Sequence, residues 1–146
     1  MTTIVADHAG MASDSMAADC SVKCTVKKFW RVRGWLIGGA GTYSCIVDVL
    51  EELRRHRTLS PHAVLRDIDF ERPEGADLLL LSPTGKLYLS EGARTPYEVN
   101  DGYAAIGSGA QGALVAMHLG ASPAEAVRTV KKVDPNTGGR VITRQL

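Results

Sequence analysis

Apolar and polar positions change period several times along the chain, and each change marks an element. Thr3 to Ala6 is a short apolar run rich in β-branched residues, which predicts a buried strand. Gly10 interrupts it, and Met11 to Ser15 resumes an extended, half-apolar path. From Val22 to Val32 the pattern alternates, with Val22, Cys24 and Val26 on one parity and lysines between; Phe29, Trp30 and Val32 then carry a second strand. Gly34 turns the chain into the apolar strand Trp35-Leu36-Ile37, which ends in Gly38-Gly39-Ala40-Gly41. From Thr42 the period is helical: Ile46, Val47, Leu50 and Leu53 form one stripe, and Glu51 stands four residues before Arg55 as an ion pair. This helix is expected to reach about Arg57.

Thr58 to Gly75 reads as irregular, with a short helical turn over Pro61 to Arg66. Asp77 to Leu81 is a strand, Ser82-Pro83-Thr84-Gly85 a turn, and Lys86 to Ser90 its hairpin partner. Gly102 to Ile106 is another strand, running into Gly107-Ser108-Gly109. A helix over Ala110 to Leu119, lined with Gly112, Ala113, Ala116 and Leu119, can pack closely on a sheet and stops at Gly120. Ser122-Pro123-Ala124-Glu125 is a capping box with proline at the first helical position; Ala126, Val127 and Val130 supply that helix's inner face. Asp134 to Gly139 is a loop, and Arg140 to Thr143 a last strand. Strands, a helix, more strands and two helices predict an antiparallel α+β fold with helices covering sheets.

Composition narrows the function classes. At 146 residues the chain is expected to be one domain, 1–146, with a proper core. The net charge is +1 without long runs of either sign, so neither nucleic acid nor membrane is implied as a partner. The basic residues Lys27, Lys28, Arg31 and Arg33 alternate with apolar ones as a solvated strand face would. No stretch approaches the ~18 apolar residues of a membrane span, and no signal peptide is recognisable. With three cysteines, Cys20, Cys24 and Cys45, a reducing, cytoplasmic setting fits. Neither the cysteines nor His8, His56, His62 and His118 show metal-ligand spacing, and no cofactor is expected.

The beginning of the chain carries the candidate chemistry. Thr2 follows the start methionine, whose removal would leave a free α-amine and a β-hydroxyl on one residue, a nucleophile and a base together. The α-amine titrates at about 7.7–8.0, near working pH. Such a site needs a positive charge to keep the amine neutral, a carboxylate to position that charge, and backbone N–H groups for an oxyanion. Lys28 and Asp14 are candidates for the first two; an exposed strand lysine and a turn aspartate are the plain alternatives. Gly38 to Gly41 joins a strand to a helix, either as a close-approach N–H site or as a tight turn. Ser108 is a helix-capping serine or a site residue, and Asp134 with Thr137 an Asx-type loop or donors and acceptors for the terminus. The stretch Asp67, Asp69, Glu71, Glu74 reads as solvated.

Taken in order, Thr2-Thr3-Ile4-Val5, Ser13-Asp14-Ser15, Val26-Lys27-Lys28, Ile37-Gly38-Gly39-Ala40-Gly41, Ala104-Ala105-Ile106-Gly107-Ser108-Gly109 and Asp134-x-x-Thr137-Gly138-Gly139 resemble the proteasome β-subunit family, nearest its bacterial HslV branch. The resemblance implies an N-terminal-nucleophile hydrolase fold, a four-layer αββα sandwich of two antiparallel sheets. It implies a threonine peptidase in a homo-oligomeric ring, acting on unfolded polypeptide and fed by an ATP-dependent unfoldase. Thr2 would be the nucleophile, Lys28 the cation, Asp14 its orienting carboxylate and Gly39 the oxyanion donor. Ser108 would lie near the terminal amine, and Asp134 and Thr137 would form the closing loop. Two departures stand out. Thr58 to Gly75 is too short and polar for the family's second long helix. A retained Met1 would make the Thr2 nitrogen an amide, unable to act as base. The alternatives are a ring or scaffold subunit without turnover, and an N-terminal-nucleophile amidohydrolase acting on small amides.

Overall fold

A computed structural model describes residues 2–18 and 22–146. In chain order the elements are β1 (Thr3–Asp7), β2 (Gly10–Ser13), β3 (Met16–Ala18), β4 (Lys23–Thr25), β5 (Phe29–Val32), β6 (Trp35–Gly41), α1 (Tyr43–Arg55), α2 (Pro61–Asp67), β7 (Ala76–Leu81), β8 (Leu87–Ser90), β9 (Tyr97–Val99), β10 (Tyr103–Gly107), α3 (Ala110–His118), α4 (Pro123–Val130) and β11 (Ile142–Gln145). Two antiparallel sheets, ordered β10-β1-β2-β11 and β5-β6-β7-β8-β9, face each other, and β3 and β4 pair as a separate ribbon.

Strand alternation builds the layers. Ile4 and Ala6 point between the sheets to meet Leu36, Leu79 and Leu81, while Val5 points outward onto α3 and α4. On β7, Leu79 and Leu81 face the other sheet, and Leu78 and Leu80 face the layer that holds α1 and α2. A strand buried on both faces reads as a continuous apolar run, which is why Leu78 to Leu81 shows no alternation. The order helix, sheet, sheet, helix is the predicted αββα sandwich.

Local chemistry fixes the helix starts. Ser60 caps α2 through the Ala63 N–H, with Pro61 at the first position. Ser122 and Glu125 form the reciprocal capping box of α4. Several boundaries differ from expectation. The stripe of α1 is Ile46, Val49, Leu50 and Leu53, with Val49 rather than Val47 fully buried. Arg55 pairs with Glu52, not Glu51, at 2.7 Å, and His56 takes the other Glu52 oxygen at 2.8 Å. Leu119 is 80 % exposed, because the chain has already turned toward Gly120; Met117 takes the inner position.

The alternating stretch from Val22 to Val32 holds two strands, as expected, but the first is confined to Lys23–Thr25. β4 is an exposed ribbon, so the Val22 and Cys24 parity does not face a core. Residues 26–28 leave the ladder: the Val26 N–H donates to Ser15 O, and the Lys28 side chain turns inward. β11 starts at Ile142 rather than Arg140, because the Arg140 N–H is taken by Ser15 Oγ at 2.8 Å. β9 carries no apolar signal, since Tyr97 and Glu98 are exposed. Cys20 lies outside the described residues; Cys24 and Cys45 are free thiols. Among the described residues no helix is long and apolar enough to cross a membrane.

Leu79 sits without solvent exposure between the two sheets. Leu79→Ala is expected to lower stability by about 3 kcal/mol in urea unfolding. Val133→Ala, at a position 78 % exposed, should stay within about 0.5 kcal/mol.

Candidate active site

Thr2 enters the fold at the start of β1, a central strand of its sheet. The neighbouring strand holds it closely. Gly107, at φ +96°, has no room for a side chain: a Cβ there would lie 1.9 Å from the Thr2 carbonyl oxygen. Thr2 is 7 % exposed and lines an open cleft of about 430 Å³, together with Gly41, Thr42, Asp77, Gly107 and Ser108.

Behind Thr2 the structure brings Asp14 and Lys28 together out of solvent. Asp14, fully buried between β2 and β3, accepts from Lys28 Nζ at 2.8 Å and from the Thr3 N–H at 2.9 Å, both on Oδ1. Its Oδ2 accepts from the Gly138 N–H at 3.1 Å and the Met16 N–H at 3.3 Å. Two donors on each oxygen match the lone-pair capacity of a carboxylate. Lys28, 4 % exposed, also donates to Met16 O at 2.5 Å. Burial pulls its ammonium below the ordinary lysine value, and the hydrogen bond and charge of Asp14 oppose that pull. Lys28 is therefore neither in a strand nor solvated, contrary to the alternating pattern around it. One carboxylate oxygen joins its ammonium to the backbone of the residue after Thr2.

The second group closes over the other side. Asp134 Oδ2 accepts from Thr137 Oγ1 at 2.6 Å and lies 3.1 Å from Ser108 Oγ; its Oδ1 accepts from the Asn136 N–H at 3.0 Å. Ser108 Oγ is also 3.3 Å from Thr2 O. Burial raises the Asp134 carboxyl, but the bonds from Thr137, Asn136 and Ser108 outweigh it and hold the group below its ordinary 3.8. Thr3 was not singled out from the sequence. Its hydroxyl, fully buried, lies 2.5 Å from Thr137 Oγ1 and ties β1 to the closing loop. The residue type carries no signal of this; only its place beside the nucleophile could have pointed to it.

Gly39 does not take the expected part. Its N–H donates to Lys28 O at 3.0 Å, and a Cβ on it would strike Ile46 at 2.4 Å, so it serves the β5–β6 pairing and the packing of α1. In an antiparallel strand every second N–H points to the same edge. Gly41 therefore presents its N–H on the edge used by Gly39, beyond the start of β5 and on the wall of the Thr2 cleft. Gly41 has φ +116°, and a Cβ there would lie 1.8 Å from Gly75 O. The glycine that meets the cleft is thus the one directly before the Thr42 cap of α1.

No group of three or more His, Cys, Asp or Glu gathers as a metal site among the described residues. The acidic stretch 67–74 is solvated, as expected.

Compared by sequence, the chain matches no protein-family model and no curated protein. Compared by structure, it is similar to eukaryotic HslV from Trypanosoma brucei, with 20% identity, 99% of each chain covered and a TM-score of 0.75. It is similar to Thiobacillus denitrificans BPH in complex with Epoxomicin, with 18% identity, 100% of this chain and 98% of that chain covered and a TM-score of 0.70. An Anbu (Gly-1) mutant from Hyphomicrobium sp. strain MC1 gives 14% identity, 100% and 81% coverage and a TM-score of 0.76. The chain shares the fold of these structures, a sandwich of two antiparallel sheets between helical layers.

Removing the Lys28 charge leaves the Asp14 carboxylate buried without a cation. Lys28→Met is expected to lower stability by about 3–5 kcal/mol, and the double variant Asp14→Asn/Lys28→Met to recover part of that loss in urea unfolding. The depressed Asp134 carboxyl contributes stability that is full above 3.8, its ordinary value, and is lost as pH falls through the lower folded value. Asp134→Asn should therefore narrow its stability gap to the parent chain as pH drops below that range.

Proposed function

We propose that the chain is a threonine peptidase that acts through Thr2 once Met1 is removed. The carrying observation is the single Asp14 oxygen that accepts from both the Lys28 ammonium and the Thr3 N–H. The Lys28 ammonium held at that oxygen favours the neutral form of the Thr2 α-amine, the form that can take up a proton.

In this reading Thr2 Oγ attacks the carbonyl carbon of a peptide bond while the α-amine takes the hydroxyl proton. The carbonyl oxygen, gaining charge, is received by the Gly41 N–H on the cleft wall. The tetrahedral intermediate collapses, the C–N bond breaks, and the amine delivers the proton to the departing nitrogen. Water, activated by the same amine, then hydrolyses the ester and frees Thr2. Ser108, Asp134 and Thr137 hold the terminus in place. No cofactor is required. The fold further suggests a homo-oligomeric ring in the cytoplasm, with an ATP-dependent unfoldase supplying unfolded polypeptide.

The test is hydrolysis of unstructured fluorogenic peptides by Met-free protein, with its mass confirming the free threonine. Thr2→Ala is expected to abolish turnover, and Lys28→Met to lower kcat by about 100-fold or more. The acid limb of kcat/KM should titrate below about 7.7, the free-amine range. Equal cleavage by the parent and Thr2→Ala proteins would reject the reading; full retention of Met1 in the native source would point to a scaffold subunit instead.

A further inference from the structure

We infer that the cleft at Thr2 selects substrates carrying a cationic side chain, lysine or arginine, next to the reacting carbonyl, and that Asp77 is the residue that selects them. The inference rests on the peptidase reading and assigns its substrate class.

Asp77 stands on β7 with the parity of Leu79 and Leu81, so its side chain enters the space between the two sheets. Those leucines fill that space; Asp77 comes where it opens to solvent, on the wall of the Thr2 cleft. A second cavity of about 180 Å³ begins at the same place. Asp77 and Gly107 line both, so the second cavity adjoins the Thr2 cleft at the residue that clasps Thr2. The apolar wall of the second cavity is formed by Leu89 and Ile106, and its polar edge is Asp77, Glu91 and the Tyr97 ring. An open cavity with one apolar wall and a carboxylate edge suits a long side chain with a methylene stem and a cationic head.

The carboxylates are available to such a head. Asp77 Oδ1 accepts from the Gly92 N–H at 2.9 Å, which fixes the carboxylate and leaves Oδ2 open. Glu91 Oε1 accepts from Tyr97 Oη at 2.9 Å. Among the described residues neither acid is in an ion pair. Two arginines lie near, on the groove that shares Glu91. Arg72 is committed to the carbonyls of Ala93, Leu65 and Ile68. Arg94 is exposed and forms no salt bridge. The negative field reaches across the cavity: the Tyr97 phenol is pushed up by its bond to Glu91, by burial, and by the charges of Glu91 and Asp77.

Two measurements on the full-length, Met-free chain test this. The first compares kcat/KM for otherwise identical unstructured peptides with Lys, Leu or Glu flanking the scissile bond. The parent is expected to prefer Lys over Leu by about tenfold, and Asp77→Asn, which keeps the acceptor for the Gly92 N–H, to bring that ratio close to one. Asp77→Lys should favour Glu. The second uses Thr2→Ala protein and fluorescence anisotropy of labelled Lys- and Glu-bearing peptides, so that binding is read without turnover. Tighter binding of the Lys peptide, weakened by salt and lost in Asp77→Asn, supports the assignment. Equal binding of both peptides, or a Lys preference unaltered in Asp77→Asn, overturns it. Absent turnover with the binding preference intact would reject the peptidase reading and leave the cationic subsite standing.

Discussion

The buried pair of Lys28 and Asp14 is the interaction on which the rest of the site depends. Taking both charges out of water is unfavourable, and their attraction offsets this only when the remaining donors and acceptors are met. That requirement draws four separate pieces of chain to one point: the backbone of Thr3, the bend between β2 and β3 at Met16, the segment before β5, and Gly138 of the closing loop. The pair contributes geometry more than net stability. It fixes where the chain begins relative to a positive charge, and no hydrophobic pair of similar volume could do so.

The sandwich supplies the rigid frame around that point. β1 and β7 are buried on both faces and each is hydrogen-bonded to a strand on either side, so neither can move without breaking two ladders. Close backbone approaches finish the placement. Gly107 lies against the carbonyl of Thr2, and Gly41 lies against Gly75 at the mouth of the cleft. Both have positive φ, which glycine adopts without strain.

Much of this was legible from residue types alone. The continuous leucines of β7, the capping box of α4 and the period change at Thr42 each state their structure through local chemistry, and each appears where the pattern puts it. The site residues were legible as an ordered series, not individually. Lys28 shows why: alternation placed it on a solvated face, whereas a carboxylate fourteen positions earlier in the chain turns it inward. That is a tertiary choice, and no local period encodes it. Gly39 and Gly41 show the same limit. Both sit in one glycine-rich run, and only the pairing of β6 with Lys28 decides which N–H is consumed and which meets the cleft. The hydroxyl link from Thr3 to Thr137 spans nearly the whole sequence and was invisible for that reason.

That span has a consequence for the order in which the site comes together. Thr3 and Asp14 meet Thr137 and Gly138 across separations of 134 and 124 residues. Joining segments so far apart costs loop-closure entropy before any contact offsets it, so such contacts form late. A partly folded chain can therefore hold β1 paired with β2 while Thr2 still lacks the closing loop, and the Thr2 surroundings are completed only when the two distant segments dock.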